Sequence, residues 1–211
     1  MCNLYRMTKN VSEVAAWFDA VDAAEGANFA AEVYPGYPGL VVAEGAVRAM
    51  TWGFPLLLKG VKGQPLKPKP VNNARQDKLG TFFWRHSFDE RRCLIPLTGW
   101  AEAEGTKGQM TRTWLSQPNA PLFAAAGVWR QSDKWGACYA MVMTDSAGSA
   151  AAQVHTRMPV LIAPDDHTRW LTAPADAALA LCQAWAGPLV VDHTDQPWAK
   201  RAASQPGLLQ A

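Results

Sequence analysis

The segment between residues 92 and 143 most constrains the fold, because it holds a succession of strand-like runs with no helical pattern between them. Alternating or continuous apolar residues mark four such runs, which are 92–104, 111–116, 122–129 and 137–143. A similar series over 32–54 is punctuated by PGYPG. Consecutive strands with few interleaved helices predict an α+β fold, with a mainly antiparallel, curled or barrel-like sheet and peripheral helices.

The predicted helices are few and lie outside this series. Asn10 and Glu13 form a capping-box pattern, and apolar residues then recur at helical spacing, which predicts a first helix over about 11–24. Residues 77–86 favour a short helix. PDDHTRWL (164–171) starts with acidic residues behind a proline, as helices often do, and ADAALALCQAW (175–185) predicts another helix.

The remaining segments are predicted to be irregular. KGVKGQPLKPKP, residues 59–70, is predicted to be a loop, because proline and glycine disfavour helix interiors and sheet centres. The chain is polar from about residue 192, which predicts an irregular C-terminal tail. A length of 211 residues fits one domain, which we expect to span 1–211.

Composition excludes several classes of function. The net charge of +2 and pI of 8.4 are only mildly basic, so any nucleic-acid surface must be a local patch. No run approaches ~18 apolar residues, and the first dozen residues carry Arg6 and Lys9 without an apolar run. We therefore expect no signal peptide, no membrane partner and a cytoplasmic location. The four cysteines lie far apart, and HExxH, GxSxG, GxGxxG and P-loop motifs are absent. We therefore expect no metal and no cofactor.

The chain begins MCNLY, which places Cys2 directly after the initiator methionine. If Met1 is removed, Cys2 carries a free α-amine and a thiol on one residue. The amine titrates near ~8 and the thiol near ~8.5, so both supply nucleophile at neutral pH. On this dipeptide alone, a chance cysteine is the commoner interpretation.

Several basic and aromatic residues are candidates for binding DNA. Lys67 and Lys69 lead into VNNAR, where Arg75 could bind a phosphate, although a solvated surface loop is an equally good interpretation. Trp52 is one of ten tryptophans, most of which must be core, while one or two could stack on unpaired bases. Arg157 follows His155 by two residues, which places both on one face if the chain is extended.

Two kinds of titratable residue could move protons. His155 has a pKa suited to donating a proton to a departing sugar oxygen, although a lone histidine is more often structural. In GWAEAE, either Glu102 or Glu104 could face inward from a strand, where burial would raise its pKa. An exposed strand glutamate is the simpler interpretation of either residue alone.

Taken together and in order, the motifs resemble those of the SOS response-associated peptidase (SRAP) family of abasic-site processing proteins. The resemblance covers nearly the whole chain, through MCNLY (1–5), TWGF (51–54), VNNAR (71–75), RRCLIPLTGWAEAEG (91–105), AAGVWR (125–130), MVMTDSA (141–147) and VHTRMPV (154–160).

The resemblance implies that Cys2, exposed by removal of Met1, attacks the open-chain aldehyde of an abasic site in single-stranded DNA. The product is a thiazolidine DNA–protein crosslink that shields the lesion during the DNA damage response. By the same resemblance, Asn73 orients the Cys2 amine, Glu102 moves protons and His155 opens the sugar ring. Weak lyase activity through the imine, a monomeric state and association with the nucleoid on DNA are also expected.

The sequence departs from the family in ways that keep alternatives open. Leu4 stands where many relatives carry an arginine, which Arg6 could replace, and lysines and prolines stand where relatives carry aromatics before the NAR triplet. One alternative is an N-terminal-nucleophile cysteine peptidase, which would include removal of its own Met1. Another is a non-catalytic binder of single-stranded DNA that uses the lysine loop and tryptophans.

Overall fold

The strand-like runs form two large sheets and a short ribbon in the computed structural model, which describes residues 2–24 and 26–198. The strands of the described residues are β1 Tyr5–Arg6, β2 Val21–Asp22, β3 Glu32–Val33, β4 Pro38–Ala43, β5 Ala46–Trp52, β6 Phe54–Leu56, β7 Lys69–Val71, β8 Asn73–Arg75, β9 Arg92–Leu97, β10 Gly99–Glu104, β11 Thr111–Ser116, β12 Phe123–Ser132, β13 Gly136–Asp145, β14 Arg157–Pro159, β15 Leu161–Ile162 and β16 Val190–Pro197.

The helices are short and lie between strands. In the described residues they are α1 Val11–Trp17, α2 Arg85–Glu90, α3 His167–Thr172 and α4 Ala175–Leu179, together with 3-10 helices at Gln76–Lys78, Ala150–Gln153 and Pro164–Asp166. The predicted capping box at the start of α1 is confirmed: the Asn10 side chain accepts from Glu13 N, and the Glu13 side chain accepts from Asn10 N.

The larger sheet closes into a barrel. Its strands β13, β12, β9, β4 and β5 pair in that order through antiparallel ladders, and β13 also pairs with β5 in parallel. Strands β8 and β14 attach to β13 at neighbouring positions. The predicted α+β fold with a mainly antiparallel, barrel-like sheet is therefore confirmed.

The smaller sheet has the strand order β16-β11-β10-β1-β3 and carries the start of the chain. On one face, Tyr5 and Trp100 join the main core, which continues into the barrel. On the other face, Leu4, Ala101 and Trp114 form a small separate cluster. We call these the core face and the outer face. Cys2 and Tyr5, near the start of the chain, thus pack into the main core.

A pair of buried tyrosines joins the two sheets. The hydroxyl groups of Tyr5 and Tyr139 share a hydrogen bond, and both side chains are fully buried. Gly39 approaches them so closely that a Cβ there would collide with both hydroxyl oxygens. Glycine is therefore needed at this position for packing.

Several predicted boundaries were wrong. The first helix ends at Trp17 and not near 24, because Asp19 takes a left-handed conformation and Val21–Asp22 joins β5. Residues 77–86 form parts of two short helices separated around Gly80, since glycine disfavours helix interiors. The helix predicted at 175–185 ends at Leu179.

The C-terminal prediction was wrong in its first part. Val190–Pro197 is a strand paired with β11, whereas the sequence predicts irregular chain from about 192. Because β16 is the edge of its sheet and largely exposed, its sequence carries no apolar alternation. The rest of the predicted tail lies outside the described residues. No helix among the described residues is long and apolar enough to cross a membrane.

Candidate active site at the chain start

Cys2 lies buried beside the end of β10. The backbone of the segment is held in the smaller sheet, where Ala101 N donates to Leu4 O over 2.9 Å and Tyr5 pairs with Trp100. The Cys2 side chain is fully buried, and its thiol donates to Leu4 O over 3.4 Å. The sheet therefore fixes the position of Cys2.

Two adjacent asparagines hold the backbone of Cys2. Asn73 Nδ2 donates to Cys2 O over 2.8 Å, and Asn72 Nδ2 donates to the same oxygen over 3.0 Å. Asn73 belongs to β8, which is anchored on β13 by parallel pairing. Asn73 Oδ1 is buried and has no hydrogen-bond partner among the described residues. It is therefore a buried acceptor on the residue that holds Cys2.

Glu102 is the buried carboxyl that the sequence predicts for one of the two strand glutamates. It is 3% exposed on the core face of β10. Burial raises its pKa from 4.5 to about 7, although the positive charge of the chain's amino terminus opposes this shift. Glu102 can therefore exchange a proton near neutral pH.

The thiol of Cys2 is held in its neutral form. Burial raises its pKa well above the usual range, and the negative charge of nearby Glu102 raises it further. A thiolate is thus disfavoured in this environment. The α-amine is the better nucleophile for a first attack, provided that residue 2 carries it.

His155 approaches the same region from the segment that precedes β14. The backbone of Arg157 holds its ring, with Nδ1 lying 3.0 Å from Arg157 N, and Ser146 Oγ donates to its carbonyl oxygen over 2.5 Å. Burial lowers the pKa of His155, and the positive charge of the amino terminus lowers it further. The charge of the amino terminus therefore acts on both His155 and Glu102.

The predicted DNA-binding cations lie at the margin of this site. Arg75 continues β8 after Asn73, and its guanidinium makes two hydrogen bonds to Asp77, at 2.8 and 2.6 Å. A phosphate would have to displace that carboxylate. Arg157 is half-buried beside His155, and Lys67 and Lys69 are exposed on the segment before Asn72.

Trp52 does not contact solvent, so its prediction as a DNA-stacking residue was wrong. The side chain is fully buried in the main core, where its ring packs edge-on against Tyr5 at 5.0 Å between centroids. Its Nε1 donates to Asn72 O over 3.1 Å. Trp52 therefore supports the asparagine segment from beneath.

Arg6, which could replace the arginine missing at Leu4, has its guanidinium on the outer face. Its guanidinium stacks on Trp114 on the outer face, with Cζ 3.5 Å from the ring centroid, and lies 3.7 Å from Glu32. Leu4 is buried in the small cluster on that face. Both side chains are thus directed away from Cys2.

The sequence did not single out two features of the site. Asn72 is a second hydrogen-bond donor to Cys2 O, and this depends on side-chain directions that the motif alone does not give. Thr113 and His193 meet Glu104 next to Glu102, and only the pairing of distant strands brings them together. The i, i+2 spacing of Glu102 and Glu104 was the available signal. Among residues 2–24 and 26–198, no group of three or more His, Cys, Asp or Glu side chains could hold a metal ion.

Solved structures with this fold come from several bacterial proteins. A Bordetella bronchiseptica protein aligns with a TM-score of 0.75 and 20% identity, over 92% of this chain and 99% of the other. A Bacteroides thetaiotaomicron protein gives 0.75 and 16%, over 91% of each chain. A phage-related protein from Bordetella bronchiseptica gives 0.67 and 16%, over 92% and 95%. At these identities the likeness shows the fold alone.

A search of curated proteins found no match to the chain. The family model described as SOS response associated peptidase matches residues 1–193, which includes every element of the site described above. The chain therefore belongs to the SOS response associated peptidase (SRAP) family.

Proposed function

We propose that this protein senses abasic sites in single-stranded DNA and crosslinks to them through Cys2 after Met1 is removed. The product is a thiazolidine formed from the amine and thiol of Cys2 and the aldehyde of the opened sugar. The crosslink shields the lesion during the DNA damage response, with which the SOS description of the family agrees.

The observation that carries this proposal is the double anchoring of the Cys2 carbonyl by Asn72 and Asn73, at 3.0 and 2.8 Å. An ordinary buried cysteine needs no such support. Two side-chain amides on one backbone oxygen fix the orientation of the residue, and hence the direction of its α-amine. The unpartnered Oδ1 of Asn73 supplies an acceptor for that amine.

Each titratable group has a step to perform. His155 donates a proton to the ring oxygen of the closed sugar while the anomeric hydroxyl loses its proton to water, so that the bond from C1′ to the ring oxygen breaks and the aldehyde forms. The Cys2 amine then adds to the aldehyde carbon, and water leaves after Glu102 protonates the hydroxyl, which yields an imine. Finally the thiol adds across the carbon–nitrogen bond, with its proton passing to the nitrogen, and the five-membered ring closes.

Neutral groups suit this order of events. Burial keeps the thiol protonated, so it does not compete with the amine for the first attack. The pKa of Glu102, at about 7, allows it to give and take protons in successive steps. The imine could also undergo β-elimination, and weak lyase activity belongs to the same proposal.

DNA binding in this proposal depends on the exposed cations around the site. Lys67 and Lys69 follow the phosphate backbone, while Arg157, and Arg75 after release from Asp77, bind phosphates next to the lesion. We expect a monomer that works in the cytoplasm and associates with the nucleoid when it is bound to DNA.

The test is adduct formation with a single-stranded oligonucleotide that carries one abasic site. The mature chain should give an SDS-resistant adduct, and Cys2→Ala should give none. Cys2→Ser is the matched variant: it keeps the amine, so we expect an imine that borohydride traps, but no heat-stable thiazolidine. An adduct of undiminished yield in Cys2→Ala would contradict the proposal. Binding without any adduct in the mature chain would favour the non-catalytic alternative.

A second candidate is an N-terminal-nucleophile cysteine peptidase, which the family description favours. It requires the Cys2 thiol to become a thiolate, and burial together with Glu102 opposes this. Cys2-dependent hydrolysis of peptides in the absence of DNA would support it. Mass spectrometry of the intact Glu102→Gln chain would test whether the protein removes its own Met1. Retention of Met1 would support this candidate, and its loss would not.

A further inference from the structure

A second polar cluster lies beside Glu102, at the rim of the core face. Glu104 is two residues farther along β10 and so lies on the same side of the strand. Its Oε2 accepts a hydrogen bond from Thr113 Oγ1 and lies 2.8 Å from His193 Nδ1. Thr113 Oγ1 is also 3.3 Å from His193 Nδ1. Side chains from β11 and β16 thus meet one carboxylate oxygen on β10.

The strand register connects this cluster to Glu102. Thr113 is the cross-strand partner of Glu102 between β10 and β11, and of His193 between β11 and β16. Directly opposed residues in antiparallel strands have Cβ atoms ~4.5–5.5 Å apart. Thr113 therefore stands between Glu102 on one side and His193 on the other.

Exposure increases along this row. Glu102 is 3% exposed and Thr113 is 1% exposed, whereas the side chains of Glu104 and His193 are 29% and 67% exposed. The row thus leads from the buried carboxyl of the site to solvent at the edge of the sheet. Its outlet lies at His193 on the edge strand β16.

Charged and titratable groups near Glu102 come from the start of the chain and from strands β10, β11 and β16. The amino terminus and Cys2 face it from the start of the chain, and the amino terminus in turn influences His155. Arg112, next to Thr113 on β11, contacts Glu32 and Tyr34. Glu104 and His193 are the titratable groups at the rim.

We infer that Thr113, Glu104 and His193 form a proton-exchange path between Glu102 and solvent. This inference rests on the proposed function, in which Glu102 gives up and regains a proton while DNA covers the mouth of the site. Glu102 passes its proton to Thr113 Oγ1 as the Thr113 hydroxyl passes its own proton to Glu104 Oε2. Glu104 releases that proton to water, and the reverse sequence reloads Glu102, so no atom is gained or lost. His193 is a positioning residue that holds Glu104 against Thr113.

The test compares substitutions that preserve shape. Glu104→Gln keeps the hydrogen bonds to Thr113 and His193 but cannot accept the proton, and Thr113→Val keeps the branched side chain without its hydroxyl. At saturating abasic DNA, each should slow adduct formation about tenfold, a part of the ~10²–10⁴-fold that a positioned acid–base group contributes. The rate of Glu104→Ala should recover in formate, which replaces the missing carboxylate. Thr111→Val, two residues away on the same strand, is the matched control and should keep the wild-type rate.

A second measurement needs no DNA. The ¹³C shift of the Glu102 carboxyl should follow its own titration and, in addition, a smaller step that is absent from Glu104→Gln, the variant that cannot accept a proton. Thr113→Val should remove the smaller step. If the step is present but the wild-type chain forms no adduct, the proposed function fails while the connection stands. Wild-type rates in both Glu104→Gln and Thr113→Val, an equal loss in Thr111→Val, or no second step would each overturn the path.

Discussion

The site around Cys2 and the exposed segment that carries Lys67 and Lys69 differ in how their side chains are held. We call the second region the lysine segment. Cys2 and Glu102 are buried, and Asn73 donates a hydrogen bond of 2.8 Å to Cys2 O. Lys67 and Lys69 are exposed to solvent. A buried group owes its reactivity to its surroundings, whereas an exposed cation contributes charge that salt screens. The proposed chemistry should therefore depend on the first region, and affinity for DNA on the second.

The largest expected effect sharpens this division at Glu102. Glu102→Gln should slow adduct formation ~10²–10⁴-fold, because an amide cannot exchange the proton that imine formation requires. Affinity for an intact single strand should stay unchanged, since Glu102 is buried. The measurement is the adduct rate at saturating abasic DNA, beside a binding titration with undamaged DNA.

Glu90→Gln is the control for this change, because Glu90 is an exposed residue at the end of α2. It should alter neither quantity. If Glu102→Gln weakened binding of undamaged DNA as much as it slowed adduct formation, the result would contradict the assignment of chemistry to the Cys2 site and of affinity to the lysine segment.

The same carboxyl should be visible in stability. The pKa of Glu102 is raised from 4.5 to about 7 by burial, so the folded chain holds a proton that the unfolded chain releases in this interval. The free energy of unfolding should therefore fall as pH rises from about 4.5 to 7, and then level off. Glu102→Gln removes this loss and should be more stable than wild type by about 3 kcal/mol at pH 8. Urea unfolding at pH 4.5 and 8 tests it, and equal stabilities at pH 8 would mean that burial does not raise the pKa.

Much of the fold and several candidate site residues could be predicted from the sequence, because they depend on the periodicity of apolar residues and on the order of motifs. Alternating runs predicted the strands of the barrel, and the motifs pointed to Cys2, Asn73 and Glu102. Trp52 was misassigned, because composition does not tell which tryptophan faces inward. The strand at Val190–Pro197 was missed because it is an exposed edge strand, and its sequence has no apolar alternation that would indicate a strand.

Contacts that depend on pairing between distant strands were beyond prediction. Thr113 and His193 are 80 positions apart, and only the β11–β16 register brings them to Glu104. Helix ends were also missed where one backbone conformation decides, as at Asp19 with φ of 47°. Local propensity does not encode such choices strongly, since a non-glycine residue in the left-handed region is uncommon.

The next expected effect divides the two asparagines. Asn73→Ala removes a 2.8 Å hydrogen bond to Cys2 O. It also removes the buried Oδ1, which in the proposed function accepts a hydrogen bond from the Cys2 amine. We expect a loss of ~1–2 kcal/mol in transition-state stabilisation, or about tenfold in adduct rate. Asn72→Ala removes only the 3.0 Å bond to Cys2 O and the 3.1 Å contact with Asn3, so its effect should be smaller. Rates for both variants with abasic DNA check the order, and a larger loss in Asn72→Ala would reverse these assignments.

The smallest expected effect lies in the exposed segment. The double change Lys67→Gln and Lys69→Gln should weaken binding of single-stranded DNA a few-fold at low salt and reduce the salt slope by up to ~1.4, at ~0.7 per phosphate contact on a single strand. The adduct rate at saturating DNA should remain that of wild type, because neither lysine touches the buried groups. Lys134→Gln, at the exposed turn between β12 and β13, is the control and should leave the slope unchanged. A lower saturated rate in the double variant would show that these lysines position the lesion for reaction, and the separation between exposed charge and buried chemistry would then break at the lysine segment.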